Sequence, residues 1–73
     1  MKFKGNKSYH AHHVPSGEEW HIIGISPWTN RVCAAGWPPT VGRLSDLKNI
    51  EEYEDLTEEE KYYRNDKFGN DWL

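Results

Sequence analysis

The chain has 73 residues, with 12 Asp/Glu against 9 Lys/Arg, four histidines and one cysteine. That length allows one small domain burying only about 60% of its unfolded surface, and the single cysteine, Cys33, excludes an internal disulfide. The N-terminal MKFKGNKSYH is charged without an apolar run, and no stretch approaches the roughly 20 apolar residues of a membrane span. Neither a signal peptide nor a spanning segment is expected, and a reducing, cytoplasmic setting fits best.

Residues 1–73 read as one domain in four segments. Residues 1–7, rich in lysine, are an N-terminal arm or edge strand. Residues 8–14 and 19–25 are β-branched, aromatic or His, and they flank Pro15-Ser16-Gly17-Glu18, which is turn chemistry and predicts a hairpin. Ser26-Pro27-Trp28-Thr29-Asn30 interrupts the pattern before Arg31-Val32-Cys33-Ala34-Ala35, a third short strand that completes an antiparallel β-meander over 8–35. Gly36-Trp37-Pro38-Pro39 removes backbone donors and holds the chain extended, so 36–43 reads as a Pro-rich crossing that ends the sheet. From 44 to 73 the segment is acidic and reads as helical. Leu44, Leu47, Ile50, Tyr53 and Leu56 recur at every third residue, nearer to a helix or 3₁₀ wrap than to a strand. Thr57-x-x-Glu60 is a capping box, with carboxylates in the first turn and Lys61, Arg64 and Lys67 towards Gly69, which predicts a helix over about 58–68. The expected class is α+β: a three-stranded antiparallel β-meander followed by one or two short helices packed on one face.

All four histidines, His10, His12, His13 and His21, fall within twelve residues. A turn centred on Ser16-Gly17 would pair Val14 with Glu19 and set His12 opposite His21, with His10 on the same face, and a five-residue turn before the third strand would pair Cys33 with Ile23 and bring it diagonal to His21. His10, His12, His21 and Cys33 are therefore the candidate ligands of an alternative reading, a zinc-binding domain with hydrolysis as its candidate chemistry. Against it, paired ligands of the Cys-x₂-Cys or His-x₃-His kind are absent. His12-His13 with Asn30 is similar to a fragment of the HNH nuclease pattern, yet no histidine follows Asn30. Cys33 in Val32-Cys33-Ala34-Ala35 fits a buried strand better than a nucleophile. Serine catalysis and a Gly-rich phosphate loop have no support in the sequence.

Charge separates the two halves. Residues 1–43 carry a net of plus three and residues 44–73 a net of minus six, and between Asp46 and Glu60 eight carboxylates face one lysine, Lys48. Such a balance repels phosphate and favours a basic protein partner. Direct binding of single-stranded nucleic acid through the N-terminal lysines and Trp28 is the weaker alternative. The functional residues expected on this ground are Glu51, Glu52, Glu54, Asp55, Glu58 and Glu59, with Trp28 at a loop tip as an aromatic anchor. The chain reads as a non-catalytic protein-binding domain without a cofactor. In size, acidity and lack of catalytic motifs it resembles the broad class of small phage-encoded inhibitors, including anti-restriction and anti-CRISPR proteins. That resemblance implies an inhibitor or modulator acting in a host cytoplasm on a basic, nucleic-acid-handling protein.

Overall fold

The computed structural model describes residues 3–36, 39–69 and 72. It contains one antiparallel five-stranded sheet and one α-helix, in the order β1 (Lys7–His13), β2 (Glu18–Ser26), a 3₁₀ turn η1 (Pro27–Thr29), β3 (Arg31–Ala34), β4 (Thr40–Arg43), a 3₁₀ turn η2 (Leu44–Asp46), β5 (Leu47–Asp55) and α1 (Glu58–Phe68). The strand order across the sheet is β4-β3-β2-β1-β5. The class is α+β, but the three-stranded meander is corrected to five strands. The sheet continues past the prolines into β4, and the chain then returns to add β5 beside β1. Trp37 and Pro38 of the predicted crossing lie outside the described residues.

The segment expected to be a first helix is the strand β5, and two of its three-residue steps, Leu47 to Ile50 and Tyr53 to Leu56, have a specific cause. Lys7 to Tyr9 on β1 spans Asp55 to Glu52 on β5, and His10 to His12 spans Glu51 to Lys48, so twice β5 spends three residues where β1 spends two. Each is a bulge, and a bulge converts the two-residue alternation of a strand into a step of three. Asn49 supplies one of them in the left-handed region, at φ 55°. At the other, buried Ser8 closes the ladder with its side chain: Oγ donates to the Glu54 carbonyl at 3.0 Å and accepts from the Glu54 N–H at 3.3 Å.

The hairpin forms as expected in kind, though not in register. His13 pairs with Glu18 around a loop of residues 14–17, with Gly17 at φ 72° and its N–H bonded to the His13 carbonyl. His12 therefore faces Glu19, and it is His10 that faces His21.

Both faces of the sheet are used. One buries Tyr9, Ala11, Ile22, Ile25, Val32, Ala34 and Leu47, with Phe3, Trp20, Leu44 and Ile50 packed against them. The other buries Ile23, Cys33, Leu56 and Trp72, with Phe68 of α1 beside them. Helix α1 starts on the capping box foreseen in the sequence: the Glu60 N–H donates to the Thr57 hydroxyl, and the Thr57 N–H donates to the Glu60 carboxylate. Its C-terminal half is held to the sheet by Arg64, only 7% exposed, whose Nη1 donates to the Ile23 carbonyl at 2.9 Å. That carbonyl is free because β2 bulges there, Ile22 pairing with Ala34 and Gly24 with Cys33. Gly24 makes room for the contact: a Cβ there would lie 2.6 Å from Arg64 Cδ and 3.0 Å from Trp72 Cδ2.

Candidate functional site

Among the described residues β5 pairs only with β1 and is an edge strand, and the carboxylates singled out in the sequence stand on it and on the helix that follows. Glu51, Glu52, Glu54 and Asp55 are exposed on β5, and Glu58 and Glu59 are exposed on the first turn of α1. Three of the six have lysine partners in the chain. Lys4 lies 3.5 Å from Glu52, Lys7 pairs with Asp55, and Lys61 lies 3.4 Å from Glu58. The hydrogen bond and charge of Lys7 hold the Asp55 carboxyl below its usual range, while the same hydrogen bond raises the Lys7 ammonium. Exposed pairs of this kind contribute little to stability. A bulged, charged edge also resists pairing with a further strand, so any partner here meets side chains rather than an open backbone ladder.

Behind this edge lies a cluster that the sequence reading did not assemble. The His10 ring stacks on Tyr53 with centroids 4.0 Å apart, and His10 Nε2 sits 2.9 Å from His21 Nδ1. His21 Nε2 is 3.3 Å from Glu60 Oε2. A carboxylate can only accept, so His21 carries its proton on Nε2, and a neutral His21 then offers Nδ1 to a proton on His10 Nε2. Partial burial pushes the Glu60 carboxyl up, but the Thr57 N–H and His21 hydrogen bonds outweigh it and the net shift is downward. The contact links the sheet to the start of α1. In the sequence its only trace is the capping box, which fixes Glu60 without revealing that His21 shares it.

The four candidate metal ligands do not converge. His10 and His21 meet, His12 turns to Glu19 at 3.3 Å, and Cys33 is fully buried in the seam beneath Trp72. Among the described residues no group of three or more His, Cys, Asp or Glu side chains is placed to hold a metal ion. Burial raises the Cys33 thiol to about 11, with Arg64 and Arg31 opposing only part of the shift. At neutral pH it is therefore a protonated, apolar packing group.

Trp28 is 60% exposed in η1. That turn joins β2 to β3, on the far side of β1 from β5 in the sheet, so Trp28 and the acidic run stand apart. The N-terminal lysines invoked for nucleic acid, and the arginines of the same basic half, are largely engaged. Lys4 and Lys7 pair as above, Arg43 lies 3.5 Å from Asp46, and Arg31 donates to the Phe68 carbonyl with its guanidinium 4.7 Å over Trp72. Lys2 lies outside the described residues.

Beside the start of α1 is a cleft of about 310 Å³, lined by Ile23, Ala35, Gly36, Thr57, Glu59, Glu60 and Tyr63. No helix among the described residues is long and apolar enough to cross a membrane. Comparison with protein-family models, with curated proteins and with solved structures finds no match to this chain.

Proposed function

We propose that this chain is a non-catalytic acidic domain that docks on a basic protein through the β5 edge and the first turn of α1, as an inhibitor or modulator does. The observation that carries this reading is the placement of Glu51, Glu52, Glu54, Asp55, Glu58 and Glu59 on a solvent-facing edge strand and helix start. The bulges and charges that close this edge to strand addition leave its carboxylates as its recognition chemistry. Complementary charge speeds and selects association, and the affinity then comes from aromatic groups desolvated at the contact. Tyr53, exposed within the acidic run and stacked on His10, is such a group and is favoured over the distant Trp28. A cytoplasmic, nucleic-acid-handling enzyme presents the matching basic groove, and occupying that groove would block it.

The test uses wild type and an E51K/E52K/E58K/E59K variant as baits in nuclease-treated lysate. One basic protein retained by wild type at low salt, released at high salt and missed by a folded variant is the expected result. Equal retention by both baits would reduce the acidic edge to a solvated surface.

A further inference from the structure

We propose that the cleft beside α1 seats one arginine side chain of the basic partner; this rests on the docking reading above and says where one partner residue goes. One wall is apolar, formed by Ile23, Ala35 and Gly36, and the other is the start of α1 with Glu59, Glu60 and Tyr63. At about 310 Å³ the cleft lies at the bottom of the range for drug-sized ligands, roughly 300–1,000 Å³, and suits a single long side chain.

A helix N-terminus carries about half a positive charge, which would repel a cation. Here Glu58, Glu59 and Glu60 all lie in the first turn and outweigh it. Glu60 is already fixed, with Oε1 accepting from the Thr57 N–H at 2.9 Å and Oε2 from His21 at 3.3 Å. Each carboxylate oxygen has a second lone pair, so Glu60 can accept further bonds from its fixed position. Exposed Glu59 reaches the same cleft and can swing towards a guest.

The guest chemistry follows from the lining. An aliphatic stem can lie along Ile23 and Ala35 while its charged head meets the carboxylates. A guanidinium fits better than an ammonium, because its planar fork matches carboxylate oxygens and it stacks on an aromatic ring such as Tyr63.

The experiment titrates ¹⁵N-labelled protein with N-acetyl-arginine methylamide, its lysine counterpart and its citrulline counterpart, the last a neutral isostere of arginine. Saturable shifts are expected at the amides of Ala35, Gly36, Glu59, Glu60 and Tyr63 with the arginine probe. Lysine should bind several-fold more weakly and citrulline at least about tenfold more weakly. Glu59→Gln should weaken the arginine probe several-fold, while Glu18→Gln, on exposed Glu18 at the β1–β2 hairpin and outside the cleft lining, leaves it unchanged. Citrulline binding as well as arginine, or lysine binding equally, would overturn the proposal. Shifts confined to β5 would remove the arginine seat while leaving the acidic-docking reading in place.

Discussion

Two regions carry conspicuous charge, and the fold treats them in opposite ways. In the seam between α1 and the β2–β3 strands, the guanidiniums of Arg64 and Arg31 point into the protein and donate to the main-chain carbonyls of Ile23 and Phe68. Along β5 and the start of α1 the carboxylates point outward, and their ion pairs are with lysines that are themselves partly exposed. Charge in the seam is therefore consumed by structure, whereas charge on the edge remains available to a partner. The difference is one of hydrogen-bonding capacity left over after folding, which a count of charged residues does not reveal.

The sharpest way to break that comparison is to remove the buried guanidinium. Arg64→Ala leaves the Ile23 carbonyl without its donor and opens space over Gly24, at an expected cost of about 2–4 kcal/mol. Urea denaturation of the variant and wild type measures it. A loss under about 0.5 kcal/mol would place Arg64 with ordinary surface residues and erase the distinction between the regions. Gly24→Ala tests the same seam from the opposite side, since the new Cβ would lie 2.6 Å from Arg64 Cδ and 3.0 Å from the Trp72 ring. Overpacking of that kind costs about 1–3 kcal/mol, read as a lower denaturation midpoint. If the midpoint does not move, the helix end sits less tightly on β2 than these contacts imply.

The sequence made the helix legible because its start is a local signal. Thr57 and Glu60 satisfy one another's backbone partners whatever lies around them, and the predicted span 58–68 matches Glu58–Phe68. The hairpin was legible for the same reason, through Pro15, Ser16 and Gly17. What could not be read was non-local. β5 has few strong strand formers, and its bulges at Asn49 and opposite Ser8 mimic a helical period. The hairpin closes around residues 14–17 rather than 15–18, which pairs His10 instead of His12 with His21. Both pairings keep the same face, so the sequence grouped the histidines on one side while missing which two touch. The acidic run was plain as composition, yet its position on a sheet edge required knowing that β5 returns to β1. Nothing near Arg64 in the sequence marks it as buried, because its partner is a carbonyl 41 residues away that a bulge exposes.

A smaller effect lies where the two regions meet, at the capping box. Thr57→Ala removes the hydroxyl that accepts from the Glu60 N–H and should cost about 1 kcal/mol, visible as a modest drop in midpoint. Since Glu60 also holds His21, the variant should shift the His10 and His21 ring resonances as well. Unchanged rings would mean that the sheet and the helix start are not coupled through this carboxylate.

The smallest effect at neutral pH is expected from Asp55→Asn, which removes the Lys7 partner on the edge. Asp55 is exposed and Lys7 partly so, so the midpoint at pH 7 should stay close to wild type, in contrast to Arg64→Ala. The signature is in the pH dependence. Asp55 is held below its ordinary 3.8, so its contribution is present above that value and is lost as pH falls through the lower folded value. Lys7 is held above its ordinary 10.5, so its contribution is present below that value and is lost as pH rises through the higher folded value. Asp55→Asn should therefore flatten the stability profile at both extremes, below about pH 4 and above about pH 10.5, while leaving its centre in place. Added salt should shrink the difference between the two proteins, because the pair is open to solvent. A large loss at pH 7 instead would show that the acidic edge, like the seam, is structural, and the carboxylates assigned to a partner would have to be reassigned to the fold.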